Sequence, residues 1–492
     1  MTRRPVLPAC AFLVSCLVAI AGSAFASETE TMTSVTGEYL YNLEEEASVF
    51  DARVELDIVN DPVTIGAVFR AYQLSNPDYN PAEIEVPKAE LKRRFAEFRR
   101  DELFVRAGHF STTFGRGIAL RSFEEIELEY DTFLDGLLVE YGGGWGDLTV
   151  LSGIAAEPLF GTRHRDHTIR ALRASSDLGD RLAVGAHAVE RSEVTWDEEI
   201  ETLPDELARY DDAVFGGDAT AWLGPMTLSG EYALREGENP LTGLGAVSGR
   251  ATYLSGTLEL PWLTLFGEYK DYWDFAHRLM SPPTCVREHL WTMMNRATYE
   301  IDADDEAGFL IEGSAPIGET ASMSGGASEA RDHDGELKHW EIFGQADHRI
   351  SERLTGSVGG SWSREYTQGK FTERRIAACE LDVLLAGDAG LDVTFEAGQV
   401  EEPGGGTFED YLVSAAWYPT ADLTVSSLAE ATTEKGLASD TWISFEVRKL
   451  VAYDLEISVS AGTERGGKTC SGGVCYVEPP FEGVRLRMTA YF

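Results

Sequence analysis

The chain has 492 residues, with 41 Lys and Arg against 83 Asp and Glu and a formal net charge of −42. So acidic a chain lacks the basic footprint a nucleic-acid partner requires. It fits either a self-repelling solvated surface or a polar lumen lined with carboxylates. Past the N-terminus no stretch reaches the roughly 18 continuous apolar residues of a membrane-crossing helix, so a closed β-barrel is the one way left to span lipid with a satisfied backbone.

Residues 1–26 read as a signal peptide. Arg3 and Arg4 open it, an apolar run extends from Ala9 to Ala21, and Ala24-Phe25-Ala26 supplies the small residues of a cleavage site. Leu13-Val14-Ser15-Cys16 loosely fits a lipoprotein box, with too little apolar sequence before it. Export leaves residues 27–492 as the barrel, with 39 basic against 83 acidic side chains and a charge of −44. Of the four remaining cysteines, Cys470 and Cys475 enclose a flexible Ser-Gly-Gly-Val and form the expected disulfide, with Cys285 and Cys379 as the remaining pair.

From residue 32 onward one unit recurs: a short turn, about ten alternating residues, a longer and more acidic loop, and an alternating return. Short turns fall at 60–62, 99–101, 143–146, 177–180, 224–225, 261–262, 316–318, 349–352, 387–390, 419–422 and 450–452. Several carry the Gly or Pro that a tight hairpin needs. Between turns, Val63, Ile65, Ala67, Phe69 and Ala71 oppose Thr64, Gly66 and Arg70, and Ile443, Phe445 and Val447 oppose Ser444, Glu446 and Arg448. A period of two sends one set toward lipid and the other inward. Trp145, Trp222, Trp262 and Trp417-Tyr418 sit at the turns, where an aromatic girdle meets headgroups.

The last strand alternates Val484, Leu486, Met488, Ala490 and Phe492 with Arg485, Arg487, Thr489 and Tyr491. Its terminal Phe492 reads as the assembly signal for the barrel-insertion machinery. Eleven turns with both chain ends on one side predict an all-β protein: a single closed antiparallel transmembrane barrel of 24 strands, within a range of 20 to 26. No globular plug is expected, because the chain enters its first strand almost at once and no loop is long enough to form one.

Residues 88–121 depart from the acidic average, with nine basic side chains against four acidic ones. Lys92, Arg94, Arg106, Arg116 and Arg121 are the candidates for a lumen constriction that binds anionic solutes or pairs with acids across the pore. Alternation puts Lys92 and Arg94 on one face and Arg93 on the other. The segment Phe110 to Phe123 contains Gly115-Arg116-Gly117 and reads as a packed loop, folded inward or braced at the rim. The longest loop, about 274–304, holds His277, Glu288, His289 and Arg296 and reads as a lid folding into the mouth, tied by Cys285. A single His next to Glu288 lacks metal-ligand spacing, so neither a metal nor a cofactor is expected.

The Phe-Gly-Arg-Gly-Ile-Ala-Leu-Arg segment at 114–121, the Pro-Pro-Thr to Asn-Arg stretch at 282–296 and Asp305-Glu-Ala-Gly-Phe309 resemble those of a family of bacterial outer-membrane, porin-like β-barrels. The resemblance spans most of the mature chain. It implies fold and an outer-membrane location in a Gram-negative-type cell, and brings no catalytic residues. A pore or transporter for a small solute is therefore the leading expectation, with membrane lipid and the insertion machinery as partners. The alternative is an assembly scaffold whose loops bind a protein. An enzyme is not expected: His109 with Ser111 and His187 with Ser192 are no more than loose nucleophile–base candidates among nine scattered histidines.

Overall fold

The structure, a computed structural model, describes residues 29–76, 88–125, 130–156, 163–194, 209–238, 246–277, 279–296, 299, 302–367, 370–387, 389–403, 405–437, 439–471, 474–478 and 480–492. Residues 1–26, the expected signal peptide, lie outside them.

Twenty-four antiparallel strands form one sheet. It closes where the first strand, Glu30–Asn42, pairs with the last, Phe481–Tyr491, in register from Ser34 opposite Tyr491 to Asn42 opposite Gly483. Closure removes the unpaired edge that lipid cannot solvate. The seam is fixed at its end by Phe492, whose N–H donates to the Thr33 carbonyl at 2.7 Å and whose carbonyl accepts from the Thr33 N–H at 2.9 Å. Among the described residues no helix is long and apolar enough to cross a membrane.

Connections at the end carrying both termini are tight turns, and most of those at the opposite end are longer. All eleven expected turns are present at or within a few residues of their expected places. The alternation holds as well: Ile65, Phe69, Leu254, Ile311, Val358 and Phe445 stand exposed on the outer face. Arg70, Glu231, Glu341, Glu396 and Glu430 are buried inside. An apolar exterior and a polar interior are the chemistry of a lipid-facing barrel. Trp145, Trp222, Trp262, Trp417 and Tyr453 are exposed at the turn end, as a girdle requires.

Two loops from the opposite end fold into the lumen and share one hydrophobic core. Residues 111–133 contribute Phe114, Ile118, Ala119 and Leu120, and residues 274–304 contribute Phe275, Leu279, Trp291, Met293 and Met294. Each large apolar side chain withdrawn from lumen water contributes about 1.5–3 kcal/mol. Among the described residues there is no plug domain, and the two inward loops pack on each other and on the wall in one apolar core.

Candidate functional site

The first loop is an inward-folded one. Its backbone turns at Gly115 and Gly117, with φ of +56° and +84°, a region glycine enters without strain. The Arg116 N–H then donates to the Glu231 carboxylate of the wall at 2.5 Å. The loops also bond to each other. The Arg121 N–H donates to Leu279 O at 2.7 Å and the Ser281 N–H to Gly117 O at 3.1 Å, while Arg121 Nη1 donates to Ser281 Oγ at 2.9 Å. His277 Nε2 lies 3.0 Å from Ile118 O, and a carbonyl only accepts, so this nitrogen carries the proton.

Wall carboxylates hold the second loop. Glu396 accepts the N–H groups of Thr292 and Met293 at 3.0 and 2.8 Å, just ahead of the short 3-10 turn Met294–Arg296. Glu430 takes both ends of the Arg296 guanidinium at 2.7 and 2.6 Å, the bidentate geometry that makes such pairs strong. Glu341 meets His289 Nε2 at 2.9 Å. Of the four lid residues expected from sequence, His277, His289 and Arg296 are docking contacts, and Glu288 is exposed.

Opposite this packed half, the seam wall carries a small apolar cluster of Leu40, Val49, Tyr72 and Phe481 and a charged stretch. It borders a cavity of about 400 Å³ lined by Glu38, Asp51, Arg53, Arg70, Lys92, Glu124 and Arg487, among others. The centre is Glu124, carried on the first loop. Arg53 donates to both its oxygens at 3.0 and 2.9 Å, Lys92 Nζ lies at 2.8 Å, and the Arg93 guanidinium is in direct contact. Burial alone would push this carboxyl up, but the Arg53 hydrogen bonds and the charges of Lys92, Arg93 and Arg53 outweigh it and hold it at about 2. Asp131 stands 3.7 and 3.8 Å from Lys92 and Arg93. Arg93 is stacked 3.7 Å from the Phe133 ring centroid, Arg70 grips Asp51 at 2.6 Å, and Arg487 pairs with Glu38.

Of the constriction candidates, Lys92 faces the cavity, Arg106 points inward and pairs with Glu97 at 2.7 Å over Phe95, Arg116 is exposed at the loop turn, and Arg121 ties the two loops. Arg94 is a correction. A bulge at Lys92 shifts the register between Leu91 and Arg93, so Lys92 and Arg93 both face inward and Arg94 faces out, where it meets Asp135 at 3.3 Å. The Cys285–Cys379 pair is a second correction. Both thiols are free, Cys285 buried with the inward loop and Cys379 exposed outside, because Cys379 shares register with outward Val358 and Phe395. Cys470 and Cys475 face each other in the Gly467–Ser471 and Val474–Glu478 hairpin, and their side chains lie outside the described ones.

Sequence reasoning missed Arg53, Arg70, Arg93 and Glu124. A signal for the first was present: Asp51, Arg53, Glu55 and Asp57 alternate with Phe50, Ala52, Val54, Leu56 and Ile58 along one strand. Among the described residues no three His, Cys, Asp or Glu side chains gather to hold a metal ion.

The model of a family described as "Family of unknown function (DUF6029)" matches residues 38–312, more than half of the chain. The chain belongs to this family. The matched segment includes both inward loops and the wall residues Arg53, Lys92 and Arg93 that surround Glu124. No curated protein matches. Among solved structures, the P pilus usher PapC translocation pore is similar at 14% identity, over 94% of this chain and 99% of that one, with a TM-score of 0.48. The siderophore receptor PirA from Pseudomonas aeruginosa is 8% identical over 95% and 81%, TM-score 0.47. A BenF-like porin from Pseudomonas fluorescens is 11% identical over 73% and 100%, TM-score 0.41. Likenesses this distant transfer no function.

Proposed function

We propose that this DUF6029 member is an outer-membrane channel for small solutes, narrowed by two inward-folded loops to a charged passage along the seam wall. The observation that carries this reading is the contrast inside the barrel. One side is packed and apolar around Trp291 and Phe114, whereas the seam side keeps a cavity of about 400 Å³ walled by Arg53, Lys92 and Arg487. A protein serving only as a scaffold has no need of a charged cavity beside an apolar core. In this reading residues 1–26 direct export, Phe492 is recognised during insertion, and the tight turns face the periplasm.

Planar-bilayer recording tests the proposal. Purified, heat-modifiable barrel should show discrete conductance steps. A variant with residues 276–302 replaced by a short Gly-Ser linker should conduct in larger steps. Electrical silence of both proteins, each shown to be folded and inserted, would refute a channel.

A further inference from the structure

We infer that Arg53, Lys92 and Arg93 form a binding site for a small oxyanion, a carboxylate or phosphate group, which Glu124 occupies as a tethered stand-in. Three cations from two wall strands converge on one carboxylate that belongs to neither strand. The cradle is built by the barrel, and its occupant arrives on a loop. Take Glu124 away and, among the described residues, the carboxylate still paired with Lys92 and Arg93 is Asp131, no nearer than 3.7 Å. This is a local positive surplus inside a chain of net charge −42.

Three features favour a ligand over a merely structural ion cluster. The planar forks of Arg53 and Arg93 match the oxygen geometry of carboxylate and phosphate. Arg93 is held in place by its stacking on Phe133, and its Nε is buried without a hydrogen-bond partner, a donor left over for another oxygen. The adjoining cavity of about 400 Å³ is the size of a small-molecule site. An entering anion therefore exchanges with the Glu124 carboxylate, which swings into the cavity. At the cradle one anionic group replaces another, and the displaced Glu124 carboxylate is solvated in the cavity that it already borders. An occupied cradle lowers apparent affinity by the fraction of molecules in which Glu124 is docked.

The inference draws its biological meaning from the channel reading, but its test needs no conduction. Folded barrel in detergent is titrated calorimetrically with succinate and, separately, with inorganic phosphate. Glu124→Gln removes the competing charge and should tighten binding of at least one probe by roughly tenfold or more. Arg93→Gln in that background should abolish the gain. Succinate preference identifies a carboxylate solute, and phosphate preference a phosphorylated one. Unchanged affinity for both in folded Glu124→Gln overturns the site, whether or not the protein conducts. Should Glu124→Gln lose heat-modifiability, Glu124→Asp retracts the carboxylate by one methylene. It should tighten binding several-fold, and no gain there overturns the site equally.

Discussion

Trp291 fixes how firmly the second loop is docked, and removing it should expose Cys285. The indole is 3% exposed and lies over Gly359 so closely that a Cβ there would come within 2.2 Å of the ring. Burial of this kind makes Trp→Ala cost about 3–5 kcal/mol. The strands on either side are held by their own ladders, so the cost falls chiefly on docking of the loop. At about 1.4 kcal/mol per tenfold, the undocked population should rise roughly a hundred- to several-thousandfold. Cys285 reports it. Burial pushes its thiol from 9.0 up to about 12, with Lys270 opposing and Glu268 and Glu306 adding to the rise. At pH 8 the docked thiol is then about one part in ten thousand thiolate, against about a tenth once undocked, so alkylation reads undocking almost exclusively.

The assay is maleimide labelling of folded protein at pH 8, with peptide mapping at Cys285 and a Cys379→Ser background. Trp291→Ala should accelerate labelling by at least tenfold. Gly359→Ala should do the same from the other side of the contact, because its methyl group collides with the ring and with Gly344 O at 2.9 Å. The double variant should be less affected than the sum, since the methyl fills space the indole has left. Equal labelling in wild type and both single variants, all heat-modifiable, would show that this contact does not hold the loop.

Deleting Phe492 removes both backbone hydrogen bonds to Thr33 and should lower the heat-modifiable fraction on semi-native gels; an unchanged folding yield would remove its assembly role. Non-reducing peptide mapping of protein from its native envelope should find Cys470 joined to Cys475, given their opposed positions in the hairpin and the low closure cost of a four-residue spacer; two free thiols would exclude the bond. Burial, with the charges of Arg191 and Arg235, holds the His277 pKa well below 6.5 while its bond to Ile118 O opposes. The docked loop therefore binds fewer protons than the undocked one, and docking is strongest above pH 6.5 and weakens as pH falls through it, by up to tenfold per unit. Hydrogen exchange of residues 274–296 at pH 7.5 and 5.5 should show this in wild type and not in His277→Asn.

The barrel was legible because its rules are local. A turn at Gly224-Pro225 or Pro261-Trp262 and a period of two between turns need no knowledge of distant residues, and counting them yields the strand number. The charged wall was harder for two physical reasons. One extra residue at Lys92 reverses the facing of everything after it, so alternation selected Arg94 where Arg93 is the inward group. Glu124 is invisible for a different reason: its partners Arg53 and Lys92 lie 71 and 32 positions away, and nothing local marks one acidic residue among 83 as the occupant of a basic cradle. Cys379 failed because cysteine counting is blind to facing, and the barrel wall separates it from Cys285.

Net charge left open whether the acids coat a surface or line a lumen, and the docking contacts show what the inward ones do. Glu231, Glu341, Glu396 and Glu430 are each buried in the wall and each receives a donor or cation from an inward loop. An unpaired carboxylate at those depths costs several kcal/mol, so each of the four favours the loop that satisfies it. The seam reverses the arrangement, with cations on the wall and the carboxylate on the loop. Protonation acts on the two halves differently. Glu124 stays ionised until pH approaches about 2, its contribution being fully present above the ordinary 4.5 and lost only below it. Mild acid therefore leaves the Glu124 clasp closed while His277 weakens the packed side. Solute competition at the cradle and acid at His277 are thus independent ways of loosening the same pair of loops.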